Sequence, residues 1–227
     1  VLVPVLPGRL HPAWQQLQTV YGSGSLGPIK TVLIEHSGPM PASRECVAGI
    51  YAEAADLLNA LVGEIAEVTA TGDLHTGRLI VLHRTQSGLS AEIRLVSVSS
   101  EPNSQDRWKI VVEAERGRAE LCFDHGVTGP ASLKSFGPEG DQELVVEGPE
   151  AGAGIMVEFA CAVRGQSHTP NWSDAIHAAE LAEWAWHSLD RRRSVDVYHE
   201  KRNELASFKG RMTSFGCGLI WLTLAML

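Results

Sequence analysis

The feature of this sequence that most constrains its fold is a series of alternating segments that follows one long amphipathic stretch. From about Glu45 to Val62 the apolar residues recur at helical spacing, and Gly63 is a typical helix stop. Apolar and polar side chains then alternate, as in strands with one buried face, in the segments 65–71, 78–85, 90–99 and 108–115. A hairpin tip leads into a further strand, 118–123. Such a series predicts a sheet in which most neighbouring strands are antiparallel.

Helices are predicted on both sides of this strand series. The first begins at His11-Pro12 and runs to Tyr21, and a strand over 29–35 follows it. Later in the chain the pattern predicts two more strands, 142–147 and 194–198, and two helices, 155–163 and 173–189, with Ser173 as N-cap of the second. We therefore predict the α+β class, with an open, predominantly antiparallel β-sheet and helices packed on one face.

Charge and missing motifs exclude several classes of function. The formal net charge of -8 argues against a nucleic-acid partner, because phosphate binding needs a basic surface. No GxxxxGK, HExxH or GxSxG motif occurs, and the one GxGxxG match, Gly22-Ser-Gly-Ser-Leu-Gly27, follows a predicted helix and precedes a strand, which is not the strand–loop–helix context of a dinucleotide-binding loop. The usual glycine-loop routes to a nucleotide are therefore excluded for this sequence, and no metal site is predicted. The four cysteines are far apart, which is typical of reduced thiols in a cytosolic protein.

Both ends of the sequence are apolar. Val1 to Leu6 is interpreted as one buried strand with nothing before it. The last 13 residues, 215–227, carry no charge and stop while still apolar. They are either the first part of a transmembrane helix that has been cut short, since a span needs about 20 residues, or a segment packed on the domain or on a partner subunit. In the first case the basic residues before this run predict that the domain is anchored to the cytoplasmic side of a membrane. In either case we expect a cytoplasmic domain, in line with the cysteine pattern.

A series of short motifs, each weak alone, occurs in a specific order along most of the chain. The motifs of the first third are Arg9-x-x-Pro12, a loop containing Gly27, the segment Ala55-Asp-Leu-Leu-Asn-Ala-Leu-Val-Gly63, and Val68-Thr-Ala70. Those of the last third are Phe159-x-x-Ala162-Val163-x-Gly165, Trp172-Ser-Asp-Ala175 and Glu180-Leu-Ala-Glu183. In order and spacing, residues 1 to 198 resemble the C-terminal domain of the Gfo/Idh/MocA family of NAD(P)-dependent oxidoreductases.

The resemblance implies a domain organisation. Residues 1–7 would be the last strand of an N-terminal Rossmann domain that is missing from this chain, and 8–199 would be the family's C-terminal α+β domain. Residues 200–227 would be a linker and the start of a candidate transmembrane helix. NAD or NADP would be bound mainly by the missing N-terminal domain, so the fragment alone would be inactive.

The family's substrate-side signature is Asp-x-Gly-x-His-x-x-Asp, whose histidine can shuttle the substrate proton. Anchored on Asp56, the signature places its first three defined residues at Gly49, Tyr51 and Glu53, so that only Asp56 matches. Glu53 is a candidate catalytic base if burial raises its pKa. Tyr51 is a candidate acid, although it lies two residues too early. The alternative is that Glu53 and Asp56 have structural roles only.

His36, Arg9 and Asp56 complete the candidates, as substrate-binding residues. The resulting hypothesis is the substrate-binding and oligomerisation half of an NAD(P)-dependent oxidoreductase acting on a sugar, polyol or related hydroxyl compound. One alternative is a non-catalytic family member that binds a ligand or a partner. Another is a domain for homo-oligomerisation through the sheet face, where the candidate contact residues are Val96, Val98, Val111 and Cys122.

Overall fold

The computed structural model describes residues 4–40, 43–73, 76–98, 106–138, 140–148, 153–166 and 170–197. Within these residues the chain forms five helices: α1 (Pro7–Leu10), α2 (Pro12–Gly22), α3 (Arg44–Val62), α4 (Ala153–Val163) and α5 (Trp172–Arg191). It also forms nine strands: β1 (Ile29–Gly38), β2 (Ile65–Asp73), β3 (Arg78–Thr85), β4 (Ser90–Ser97), β5 (Arg107–Ala114), β6 (Arg118–Phe123), β7 (Ala131–Phe136), β8 (Gln142–Val146) and β9 (Val195–Asp196). The predicted α+β class is confirmed.

All nine described strands belong to one sheet, in the order β8-β7-β6-β5-β1-β4-β3-β2-β9. Strand β1 joins two meanders, since it pairs antiparallel with β5 on one side and parallel with β4 on the other. The remaining pairs are antiparallel, which confirms the predicted sheet type. The parallel pair arises because α3 carries the chain from the end of β1 to β2, and two hairpins then return it beside β1.

The two long helices cover the half of the sheet that contains β1 to β4. Ser43 caps α3 by accepting a hydrogen bond from the backbone N–H of Cys46, and Gly63 ends the helix with a φ of 77°. Helix α5 is capped by Asn171 and Asp174 in a capping box, so the prediction of Ser173 as the N-cap was wrong. The reason is that Oδ1 of Asn171 accepts hydrogen bonds from the backbone N–H groups of Ser173 and Asp174, which lie two and three residues further along the chain.

The N-terminal segment crosses α3. Residues 4–6 are in no strand and Val5 is 55% exposed, so the predicted strand is not found in the part of 1–6 that the structure describes. The short helix α1 follows, and its Gly8 is buried on Leu57, whose Cδ1 would lie 3.1 Å from a Cβ at position 8. This close approach brings the N-terminal segment against the face of α3 that carries Glu53 and Asp56.

Helix α4 is poorly covered within the described part of the chain. Its apolar side chains Met156, Val157, Phe159 and Val163 are between 39% and 66% exposed, and Trp172 and Ile176 at the start of α5 are 50% and 56% exposed. Several exposed apolar side chains on one helix, as on α4, are typical of a contact surface.

The opposite face of the sheet is open and mixed in character. Charged pairs such as Arg94–Glu92, Lys109–Glu120 and Lys134–Glu143 lie on or across its strands. Of the residues predicted for an apolar contact, Val98 is 43% exposed and Val111 only 6%. Among the described residues no helix is long and apolar enough to cross a membrane, and the run 215–227 lies outside them.

Candidate functional site

Two polar side chains of α3, two residues apart, point in different directions. Successive helix positions are separated by about 100°, so Tyr51 and Glu53 lie on nearly opposite sides of the helix. Tyr51 faces the sheet, where its hydroxyl shares a hydrogen bond of 2.6 Å with Nε2 of His83. Both side chains are buried, and burial raises the pKa of Tyr51 and lowers the pKa of His83 to about 3. We call these two residues the core pair, and both are uncharged near neutral pH.

Glu53 faces α1 and the end of strand β1. Burial raises the pKa of its carboxyl group to about 7. A hydrogen bond from the backbone N–H of Gly8 acts in the opposite direction and lowers this pKa. The negative charges of Asp106 and Asp56 raise this pKa further, and His36 lowers it. The Oε1 atom is buried and has no hydrogen-bond partner among the described residues. A carboxyl group with these properties can take up or release a proton near pH 7.

His36 lies on the helix-facing side of β1, and its charge acts on the carboxyl group of Glu53. Its Nε2 atom is 2.6 Å from Oδ1 of Asp106, and its ring packs edge-on against Trp108 with centroids 4.8 Å apart. His36 is 3% exposed, whereas the side chain of Asp106 is 50% exposed. In the part of the chain that the structure describes, Nδ1 of His36 is buried without a hydrogen-bond partner. We call Glu53, His36 and Asp106 the acid–base cluster.

Arg9 and Asp56 pair with each other. The guanidinium group donates from Nε and Nη2 to the two carboxylate oxygens of Asp56, at 2.7 and 2.6 Å, and its Nη1 lies 3.4 Å from Asp174 on α5. Burial raises the pKa of Asp56 to about 6, although Arg9 lowers it. A bidentate pair of this kind joins three helices, and its geometry favours a structural role for both residues.

The structure brings the predicted site residues into three separate groups. Glu53 and His36 share the acid–base cluster, Arg9 and Asp56 form the bidentate pair, and Tyr51 lies in the core pair. The burial of Tyr51 favours a structural role for this residue too. The sequence analysis missed Asp106, which is 70 residues from His36 in the sequence. No motif in the sequence marks Asp106. It reaches His36 because β1 pairs antiparallel with β5, which places the start of β5 beside the end of β1.

The chemistry of the acid–base cluster is proton transfer. Two carboxyl groups and an imidazole provide acceptors and donors in a site that is buried on one side and open to solvent at Asp106. Among the residues that the structure describes, no group of three or more His, Cys, Asp or Glu side chains is arranged to hold a metal ion.

Comparison with known proteins identifies the fold. No protein-family model matches the sequence, and a search of curated proteins finds no match either. Among solved structures, an oxidoreductase assigned in Thermotoga maritima has a TM-score of 0.69 at 19% identity, over 86% of this chain and 63% of that chain. A protein of Sinorhizobium meliloti 1021 assigned as a myo-inositol dehydrogenase has a TM-score of 0.64 at 19% identity, over 86% of this chain and 65% of that one. Levoglucosan dehydrogenase in complex with NADH and levoglucosan has a TM-score of 0.68 at 14% identity, over 86% and 66%.

These likenesses concern the fold. The chain spans 63% to 66% of the length of these solved chains, so it has the fold of a part of an oxidoreductase. This agrees with the resemblance in the sequence, and the predicted fold of a Gfo/Idh/MocA-type C-terminal domain is confirmed.

Proposed function

We propose that this chain is the substrate-binding half of an NAD(P)-dependent oxidoreductase that acts on a sugar, a polyol or a related hydroxyl compound. The observation that carries the proposal is the state of Glu53, which occupies the position where the resembled family has its proton-shuttling histidine. Its carboxyl group is buried, has one oxygen without a partner among the described residues, and has a pKa raised to about 7. These are the properties of a general base that works near neutral pH.

The proposed chemistry needs a proton acceptor beside a hydride acceptor. Oxidation of a secondary alcohol removes the proton of the hydroxyl group and a hydride from the carbon atom that carries this group. Glu53 as carboxylate accepts the proton, and the unpartnered Oε1 gives the substrate hydroxyl a hydrogen-bond acceptor. NAD or NADP, held mainly by a domain outside this sequence, supplies the hydride acceptor. Glu53 and His36 suit the proton-transfer part of this reaction, because a carboxyl group and an imidazole can each accept and release a proton.

Two observations support a larger protein around this chain. The solved relatives include one in complex with NADH and levoglucosan, and the chain spans 66% of its length. The apolar side chains Met156, Val157 and Val163 of α4 are more than half exposed, as a surface covered by a further domain would be. Because NAD or NADP would be held mainly by that further domain, we propose that the fragment alone is inactive.

The proposal is tested with the full-length protein that contains this chain. Reduction of NAD and NADP is followed against a panel of sugars and polyols, comparing wild type with Glu53→Gln. We expect kcat/KM to fall by about 100-fold or more, because a positioned general base contributes roughly two to four orders of magnitude. Glu45→Gln, in the exposed first turn of the same helix, is the matched control and should keep at least half of the activity. Equal activity of Glu53→Gln and Glu45→Gln would remove Glu53 from the reaction.

A second candidate function is ligand binding without turnover. A cleft of about 230 Å³ between α2 and the β7–β8 hairpin is lined by both polar and apolar residues, and the polar ones are Thr19, Ser23, Ser25, Ser135 and Gln142. Such a lining suits a neutral polyhydroxy compound but supplies no acid or base. Binding of a polyol that is lost in Ser135→Val, with no reduction of NAD or NADP, would favour this function.

Assembly and location are separate parts of the proposal. We propose a homo-oligomer formed through the open sheet face, where Leu82 is 50% exposed. Sedimentation of the full-length protein tests this, because Leu82→Glu should shift an oligomer toward a smaller species.

We also propose a cytoplasmic location, and extraction of membranes with carbonate distinguishes an anchored protein from a released one.

A further inference from the structure

Gly8 offers Glu53 a backbone hydrogen bond that α1 does not use internally. Pro7 has no N–H group, and the first N–H of α1 that bonds back along the chain belongs to Arg9, which donates to the carbonyl oxygen of Leu6. The N–H of Gly8 is therefore left over, and it donates to the carboxyl group of Glu53. Since Oε1 of Glu53 has no partner among the described residues, this bond falls on Oε2.

The side chains next to Gly8 and Glu53 hold α1 in this position. Arg9 follows Gly8 in the sequence, and Asp56 lies three residues after Glu53, on the same side of α3. The hydrogen bonds of 2.7 and 2.6 Å between Arg9 and Asp56 therefore fix α1 to α3 about one helical turn from the carboxyl group of Glu53. A further contact, of 3.4 Å to Asp174, ties the same guanidinium group to α5.

The close approach of α1 to α3 requires a glycine at position 8. A Cβ there would lie 3.1 and 3.2 Å from Cδ1 and Cδ2 of Leu57, which is 1% exposed and has little room to move in a packed core. A larger residue would therefore push α1 away from α3 by a few tenths of an ångström. This displacement would lengthen the hydrogen bond from Gly8 to Glu53.

We propose that Gly8 is a positioning residue of the candidate site: its N–H holds Oε2 of Glu53, so that Oε1 is turned toward the substrate hydroxyl group. Arg9 and Asp56 act one step further away, since they fix the position of Gly8. The part of this inference that concerns the substrate rests on the proposed function. The part that concerns the hydrogen bond is measured without turnover.

Three charged groups act on Glu53, and none of them changes when Gly8 is replaced. Asp106 and Asp56 raise the pKa of Glu53, and His36 lowers it. The N–H of Gly8 also lowers this pKa, because a hydrogen bond to the carboxylate stabilises its charged form. A variant that weakens only this hydrogen bond should therefore raise the pKa of Glu53.

The test is a carbon-13 NMR titration of Glu53 in the full-length protein that contains this chain, with the signal assigned by its absence in Glu53→Gln. We expect Gly8→Ala to raise the pKa of Glu53 by about half a unit. Arg9→Lys keeps the positive charge but loses the paired hydrogen bonds to Asp56, so it should raise this pKa as well, by a smaller amount.

Leu57→Val supplies a rescue, because it removes the two Cδ atoms that a Cβ at position 8 would meet. The double variant Gly8→Ala/Leu57→Val should return the pKa of Glu53 toward the wild-type value. If Gly8 had only a role in packing, the loss of a further buried group in the double variant would instead add to the damage. Gly154→Ala is the matched control. Its Cβ would also meet α1, but at an ordinary contact distance of 3.4 Å from Cβ of Leu10, so the titration of Glu53 should not change.

An unchanged titration of Glu53 in both Gly8→Ala and Arg9→Lys would overturn the inference, as would a lowered pKa in Gly8→Ala. If Gly8→Ala does not fold, Arg9→Lys decides the question alone. A raised pKa of Glu53 in Arg9→Lys then supports the inference, and an unchanged or lowered pKa overturns it.

Kinetic measurements separate this inference from the proposed function. If Glu53 is the base, Gly8→Ala should lower kcat by about 5- to 10-fold with little change in KM, because the base is displaced by a fraction of an ångström. The double variant with Leu57→Val should regain this loss. If Glu53 titrates as expected in these variants but Glu53→Gln keeps its activity, the proposed function fails and the hydrogen bond stands. If Glu53→Gln loses its activity and Gly8→Ala changes neither the titration nor kcat, the inference fails and the proposed function stands.

Discussion

The core pair and the acid–base cluster are two environments for a histidine beneath the same helix. In the core pair, Tyr51 and His83 are 1% and 2% exposed and bond to each other. In the cluster, His36 is as deeply buried, at 3%, yet it bonds to a carboxylate that is half exposed. The first histidine is shielded from proton exchange, whereas the second is linked to water through its partner.

The comparison shows that two equally buried histidines can have different partners, a tyrosine in the core in one case and a half-exposed carboxylate in the other. Low polarity around His83 lowers its pKa to about 3, so it stays neutral at any ordinary pH. Around Glu53 the same effect raises a carboxyl pKa to about 7. Burial therefore keeps His83 of the core pair uncharged near neutral pH. In the cluster, burial instead allows Glu53 to gain or lose a proton near neutral pH. The two groups therefore give the stability of the fold opposite pH dependences.

The largest expected effect is the acid sensitivity of the core pair. Because the folded pKa of His83, about 3, is below its unfolded value of 6.5, its contribution to stability is present above pH 6.5 and is lost as the pH falls toward 3. At pH 4.5 this loss is roughly 2 to 3 kcal/mol. The double variant Tyr51→Phe/His83→Leu should lack it, which urea unfolding at pH 7.5 and pH 4.5 measures. Exposed His125→Gln is the control, and a double variant as acid-sensitive as wild type would contradict the prediction.

The cluster should show the reverse dependence. The pKa of Glu53 is raised from 4.5 to about 7 in the folded protein, so its ionisation costs stability as the pH rises through this window. We expect Glu53→Gln to stabilise the fold at pH 8 by roughly 2 kcal/mol, with the gain disappearing by pH 4.5. Thermal unfolding across this range measures the effect. Glu45→Gln should show no such pH dependence, and a destabilised Glu53→Gln at pH 8 would contradict the prediction.

The smallest effect concerns one hydroxyl group. Tyr51→Phe leaves Nε2 of His83 buried without its hydrogen bond, and we expect a loss of about 1 to 2 kcal/mol at pH 7.5. Tyr21→Phe is the matched control, because the buried Tyr21 hydroxyl has no hydrogen-bond partner among the described residues. It should be neutral or slightly stabilising. Urea unfolding of both variants compares them directly, and equal losses would show that the bond to His83 contributes nothing.

Much of the fold was predictable because its periodic signals are local. The boundaries of α3 and β3 differ from the prediction by at most one residue, since a long apolar stripe and strict alternation leave few other arrangements. Strand β7 was missed, because Ala-Ser-Leu-Lys-Ser-Phe has few β-branched or large apolar residues. The parallel pairing of β1 with β4 was also missed, because pairing order depends on contacts between distant segments.

The candidate site was predictable only in part, for the same reason. Glu53 and His36 were found from the resemblance and from the position of His36 near a strand end. Asp106 carries no motif, and it meets His36 only when β5 pairs beside β1. The separation of Tyr51 from Glu53 required knowing which face of α3 contacts the sheet.

The position of β1 between two meanders has a consequence for the order of folding. Strands β2 to β4 and β5 to β8 pair with neighbours in the sequence and can form early, because short loops close at low entropic cost. Strand β1 pairs with β4 and β5 across longer separations, so its insertion is a non-local step, as is the pairing of β9 with β2. Since His36 lies on β1 and meets Asp106 only when β1 pairs beside β5, assembly of the acid–base cluster would report the insertion of β1.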